Sequence, residues 1–158
     1  MKATVITLLI GVSVLLSFAG CAFTSRVKEI SEIAHFSFSY TCSDMAYGYE
    51  SYSLDCEEGI YTLTVKKNGV PEEEAVVLQT DKEFAEMLQQ FLNENDVGKW
   101  NGFDKSDKHV YDGDSFSLYI VCESGTTVDA HGYMKWPQNY SEVKQGIVNM
   151  FDELVEGK

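Results

Sequence analysis

The chain has 158 residues, 25 acidic against 12 basic side chains, and a formal net charge of −13 at pH 7. Such an excess of acid repels nucleic-acid phosphates and anionic lipid headgroups, which argues against nucleic-acid binding. The length suits one domain with a real core. Four cysteines are too few for a disulfide-dense scaffold, so that core must come from apolar burial.

The first element is a targeting segment. Met1-Lys2 gives a positive start, residues 3–16 are almost unbroken apolar sequence, and Phe18-Ala19-Gly20 closes the run with small residues. That order describes a secretory signal peptide over residues 1–20. The cysteine directly after Ala19-Gly20 makes the segment resemble the lipobox of bacterial lipoproteins. The resemblance implies cleavage before Cys21, a diacylglycerol thioether on its sulfur, and an extracytoplasmic body anchored to the cell membrane. Two acyl chains give stable anchoring, at about 0.8 kcal/mol per buried CH₂. No later apolar run approaches the roughly 18 residues a spanning helix needs. Residues 21–34 read as the lipidated cysteine and a linker, and residues 35–158 as a single domain.

Within that domain, residues 35–42 alternate apolar and polar, with Phe36, Phe38, Tyr40 and Cys42 on one face. Residues 49–56 form a second strand with Tyr52, Leu54 and Cys56 in phase. Residues 60–67 form a third, with Tyr61, Leu63 and Val65 in phase. A two-residue Glu58-Gly59 turn sets Cys56 opposite Tyr61, Leu54 opposite Leu63 and Tyr52 opposite Val65, with all six on one face. After the turn at Asn68-Gly69-Val70-Pro71, residues 74–79 read as a fourth strand. Thr80-Asp81-Lys82-Glu83 is a capping box with Thr80 as N-cap. The helix behind it carries Phe84, Met87, Leu88 and Phe91 as its apolar stripe. Residues 96–114 read as a long polar loop pinned by Trp100 and Phe103. Residues 115–122 and 126–131 form a hairpin through Glu123-Ser124-Gly125, with Gly125 left-handed. That loop puts Val128 and Ala130 on the face of Phe116, Leu118 and Ile120. A loop over residues 132–139 leads to a closing helix from about Ser141, striped by Val143, Ile147, Met150, Phe151 and Leu154 and stopped at Gly157. The expected fold is α+β: a single antiparallel sheet of about six strands with two helices on one face, in the order ββββ-α-ββ-α.

Chemistry-bearing patterns are sparse. Cys42, Cys56 and Cys122 fall in phase with apolar faces and read as buried small side chains. Cys42 and Cys56 belong at far ends of neighbouring strands, out of bridging reach, so no disulfide essential to the fold is expected. No nucleophile elbow and no paired zinc ligands occur, so neither a metal nor a cofactor is expected. Asp104, Asp107, Asp112 and Asp114 share one loop, but an EF-hand read from Asp104 has His109 at the glycine place and Ser115 at the glutamate place. The aromatic loops are the candidate ligand contacts, through Trp100, Tyr133, Trp136 and Tyr140, with Tyr47, Tyr49 and Tyr119 as aromatics on the wet face of the sheet. Trp136 is expected to be structural and Tyr133 the exposed contact. On that footing Trp136→Ala costs about 3 to 5 kcal/mol.

The second half also resembles a group of uncharacterised cell-surface lipoproteins of anaerobic Gram-positive bacteria. The residues that carry this are Trp100-Asn101-Gly102-Phe103-Asp104-Lys105, Asp112-Gly113-Asp114-Ser115-Phe116-Ser117-Leu118, and Gly132-Tyr133-Met134-Lys135-Trp136-Pro137-Gln138-Asn139-Tyr140. The resemblance implies a lipoprotein of the same fold and brings no activity with it. The sequence therefore points to a non-enzymatic, lipid-anchored envelope protein. It meets the membrane through the Cys21 lipid and binds an envelope protein or glycan. The alternative is an exported glycan or cell-wall hydrolase that uses carboxylates of the 104–114 loop.

Overall fold

The computed structural model describes residues 27–43 and 49–157. The signal segment, the lipobox with Cys21, and Tyr47 lie outside the described residues. Among the described residues there are seven strands: β1 (Ile33–Thr41), β2 (Glu50–Glu57), β3 (Ile60–Lys66), β4 (Val76–Thr80), β5 (Phe103–Ser106), β6 (Ser115–Cys122) and β7 (Thr127–Tyr133). Helix α1 (Lys82–Glu94) follows β4, and α2 (Tyr140–Glu156) closes the chain. The strands form one sheet in the order β4-β3-β2-β1-β6-β7-β5.

The α+β class holds, but the sheet is mixed and has one strand more than expected. Residues 103–106, read as part of a long loop, form β5 and pair in parallel with β7 at the sheet edge. Four residues with one apolar side chain show no alternation. Backbone pairing alone makes this strand.

Both hairpins adopt the expected registers. Cys56 faces Tyr61, Leu54 faces Leu63 and Tyr52 faces Val65. Glu58 and Gly59 both take positive φ, 51° and 81°, as a two-residue turn matched to strand twist requires. Gly125 has φ 80°, Cys122 N–H donates to Thr126 O, and Ile120 and Leu118 face Val128 and Ala130. The capping assignment shifts by one. Thr80 ends β4, and Asp81 is the N-cap, its carboxylate accepting from Phe84 N–H at 3.1 Å. Asp81 competes better than Thr80 for the helix's first amides because it brings charge. The buried stripe of α1 is Phe84, Ala85, Leu88 and Leu92, while Met87 is exposed.

Phe151 of α2 stacks on Phe36 and meets Tyr52 edge-on, and Phe84 of α1 meets Phe151 edge-on. Both helices therefore cover the same sheet face. The opposite face stays open and carries Ser37, Ser39, Ser51, Ser53, Thr62, Thr64 and Ser117, all half-buried. Of the described cysteines, Cys122 is buried and Cys42 and Cys56 are half-buried, and all three are free thiols. Cys42 sits at the opposite end of the sheet from the others. Cys56 and Cys122 are separated by β1, about 10 Å, which exceeds bridging reach.

The segment before β1, assigned above to the linker, packs against the fold from Lys28 onward. Ile30 is fully buried, and its backbone exchanges two hydrogen bonds with the Asn93 side-chain amide, at 3.0 and 2.7 Å. Lys28 Nζ donates to Thr127 O at 2.7 Å. Gly98 makes this approach possible, because a Cβ there would lie 1.8 Å from Lys28 O. Gly98→Ala must push the segment away. Urea denaturation should show a loss of about 1 to 3 kcal/mol, the usual range for overpacking.

Candidate functional site

The residues singled out in sequence converge on one end of the sheet, with one exception. Trp100 is buried in the one-turn helix Val97–Trp100, and its indole N–H donates to Gln138 O at 3.1 Å. Its ring lies 6.0 Å from Phe116 and 6.1 Å from Tyr140. Tyr140 opens α2 and is 9% exposed. Trp136 stacks on Tyr140 at 4.5 Å and tilts against Phe116 at 5.8 Å. Gly132 leaves room for Phe116, since a Cβ there would sit 2.4 Å from its ring. Tyr133 stands apart. It pairs with Ser115 on the open face, half-buried, with the sheet between it and Trp136.

Exposure is distributed differently from the expectation. Trp100 and Tyr140 are the packed rings, and Trp136 is 39% exposed, more open than Tyr133. The pattern of alternation ends at Tyr133, so sequence could not give the loop's direction. Two non-glycine residues, Met134 at φ 53° and Asn139 at φ 60°, take left-handed conformations on either side of Trp136. A non-glycine side chain there costs about 1 to 2 kcal/mol, and such strain persists only where the surroundings enforce it. Met134 is held by Asp114 N–H, which donates to its Sδ, and by its own N–H to Asp114 O.

Two acids of the neighbouring loop, Asp107 and Asp114, are committed to holding it. Asp107 accepts from His109 N–H, which with Lys135 at 3.3 Å holds its carboxyl below the ordinary range. Asp114 accepts from Ser43 N–H at 2.7 Å. Glycosidic chemistry needs two carboxylates about 5 to 9.5 Å apart across a cleft. Four open clefts border residues 27–33 and the Glu57–Gln79 corner, and Trp136 lines none of these four. Among the described residues, no three His, Cys, Asp or Glu side chains converge as a metal site would need.

A second constellation lies at the same end and was missed in sequence. Glu50 accepts hydrogen bonds from Tyr40 at 2.5 Å and Tyr52 at 2.7 Å. Lys67 donates to Tyr52 at 2.9 Å and to Asp152 of α2 at 2.7 Å, and lies 3.9 Å from Glu50. Lys144 sits 3.6 Å over the Tyr40 ring and 3.8 Å from Cys42 Sγ. The signal was present: Glu50 falls in phase with Tyr52 and Leu54, an acid on an otherwise apolar face. Burial pushes the Glu50 carboxyl up, but the two tyrosine hydroxyls and Lys67 outweigh it and hold it below the ordinary value. Burial and the Glu50 carboxylate push both Tyr40 and Tyr52 far above the ordinary tyrosine range. The network ties β1, β2 and Lys67, the residue after β3, to α2. On the open face Tyr49 and Tyr119 are both exposed, as expected, with Lys66 4.7 Å from the Tyr49 ring.

No protein-family model matches this chain, and no curated protein matches it.

Glu50 gives a test in pH. Its folded-state pKa is depressed, so its contribution is full above the ordinary glutamate range and disappears as pH falls through the lower folded value. Glu50→Gln should lower stability at pH 7 by about 1.5 to 3 kcal/mol, as for hydrogen bonds to a charged group. Urea curves of the variant and wild type should converge as the pH falls below the ordinary glutamate range.

Proposed function

We propose that this protein is a non-enzymatic binding module of the cell envelope, anchored by lipid on Cys21 and meeting its ligand through the aromatic end of the sheet. One observation carries the binding part: Trp136 keeps a large ring 39% exposed on a rigid stack of Tyr140 and Phe116. A preformed ring needs little ordering when a sugar ring or a partner side chain settles on it. The engaged state of Asp107 and Asp114 favours this reading over hydrolysis by the 104–114 loop. The N-terminal residues and the lipobox-like Ala19-Gly20-Cys21 support the anchored location.

The geometry of β1 adds to this reading. The chain enters at Ile33, and Trp136 lies beyond the other end, past Thr41 and its partner Ser115. Nine residues of strand span about 30 Å. A tether at the entry end leaves the aromatic end facing away from the attachment point.

Two variants separate location from binding. Cys21→Ser should move the protein out of the membrane fraction or leave its precursor unprocessed. Unchanged fractionation and mobility would overturn the anchor.

Trp136→Ala should cost about 1 to 2 kcal/mol, less than a fully buried ring, because the partly exposed ring loses only its contacts with Tyr140 and Phe116. It should also abolish co-sedimentation of the detergent-solubilised chain with purified envelope. Retention equal to wild type would remove Trp136 from the binding surface.

A further inference from the structure

The open face of the sheet breaks a local rule at its centre. β-branched and aromatic side chains fit a pleated face best. Yet Ser37, Ser39, Ser51, Ser53 and Ser117 occupy neighbouring positions on its three middle strands, β2, β1 and β6. Ser53 faces Ser37, and Ser51 and Ser117 flank Ser39. Departures from local propensity are where function is to be sought. Neighbouring strands lie about 4.8 Å apart and alternate residues about 7 Å apart, so these hydroxyls form one patch of about 10 Å by 7 Å. Thr41 and Ser115, at its border, bond each other at 2.7 Å. Among the described residues, the five serine hydroxyls make no such bond.

Taller side chains stand around this low floor. Tyr119 ends the cross-strand row of Ser53 and Ser37, and His131 ends the row of Ser39 and Ser117. Tyr119 is 41% exposed, and its ring tilts against His35 at 5.9 Å. Asp55 holds His35 at 2.6 Å, so the Tyr119 ring is braced before any ligand arrives. On the far side Tyr49 is exposed, its ring 4.7 Å from the Lys66 ammonium. Charge is kept off the floor. His131 meets Asp129 at 2.8 Å, and Lys66 meets Glu72 at 2.7 Å. Asp104 on the edge strand β5 and Glu57 beside the β2–β3 turn stand at the margins, where they repel an anionic ligand. Protein interfaces centre on aromatic, methionine or arginine anchors and are poor in serine. Hydroxyls that both donate and accept, with rings at the ends of the patch, match a ligand that is itself dense in hydroxyls.

We propose that the open face binds a neutral glycan chain, laid across β2, β1 and β6 on the serine floor with one sugar ring stacked on Tyr119, independently of the surface around Trp136. The sugar hydroxyls exchange hydrogen bonds with Ser37, Ser39, Ser51 and Ser53, and the chain continues toward Tyr49. The sheet itself separates this surface from Trp136, so one sugar ring cannot touch both. A second copy of this chain is a poor occupant. Two serine floors offer each other no apolar centre, and each molecule carries a net charge of −13.

The test is native electrophoresis of the full chain in nonionic detergent, through gels that contain laminarin, galactomannan, arabinoxylan or soluble starch. The acidic chain migrates strongly, so retardation reads binding. At least one of these neutral polysaccharides should retard it, with an apparent Kd between about 10 μM and 1 mM. Tyr119→Ala should weaken retardation about tenfold, as for one lost ring stack. Ser37→Ile fills the floor with a better strand former, and should weaken it about fivefold with no loss of stability in urea. Polygalacturonate, an anionic chain, should not retard the protein. No retardation by any of the neutral polysaccharides, equal retardation by polygalacturonate, or retardation that survives both variants would each overturn the proposal. Retardation lost in Trp136→Ala but kept in Tyr119→Ala would put the sugar at the aromatic end and overturn it as well. So would self-association that Tyr119→Ala removes, since a second copy would then cover the face.

Discussion

Strand β1 hydrogen-bonds to β2 along one edge and to β6 along the other, so each of its residues sets the height of two neighbours at once. Phe36 fixes Leu54 and Ile120, Phe38 fixes Tyr52 and Leu118, and Tyr40 fixes Glu50 and Phe116. A slip of one residue would turn all of these to the open face and expose the helix-side core. The two halves of the chain, residues 50–80 and 103–133, have no other seam within the sheet. The aromatic end depends on that register, because Phe116, placed by Tyr40, is the ring on which Trp136 and Tyr140 rest.

The excess of acid is distributed rather than concentrated. Most carboxylates sit in turns and on the outer helix faces, where water screens them. Glu50 is the exception, drawn inside and matched by two tyrosine hydroxyls and a lysine. On the open face, Asp55 and Asp129 each lie against a histidine, His35 at 2.6 Å and His131 at 2.8 Å. The centre of that face is therefore mostly serine, threonine and tyrosine. Unpaired negative charge gathers at the β4 side and along the helices.

What could be read from sequence was what period two encodes. Tyr52, Leu54 and Cys56 against Tyr61, Leu63 and Val65 allow one turn length, and the hairpin follows. The stripe Val143, Ile147 and Phe151 likewise gives α2 its buried face. What could not be read was set by partners distant in the chain. β5 exists because β7 offers an edge, not because residues 103–106 alternate. Ile30 belongs to the core because Asn93, 63 residues later, satisfies its backbone. The aromatic residues of the candidate site were visible as types, but their exposure was not. Trp100 turned inward to reach the Gln138 carbonyl, and two left-handed residues turned Trp136 outward.

The position of β1 has a mechanical consequence. Any load that enters the domain through residue 27 reaches β1 only through the segment that precedes it. First the Ile30–Asn93 clasp and the Lys28 bond must give way. After that, the hydrogen bonds on both flanks of β1 are loaded together in shear rather than opened one after another. Rupture under force is governed by the unfolding barrier rather than by equilibrium stability. A domain of ordinary thermodynamic stability, hung from this strand, would therefore hold against drag that would unzip a hairpin pulled from its open end.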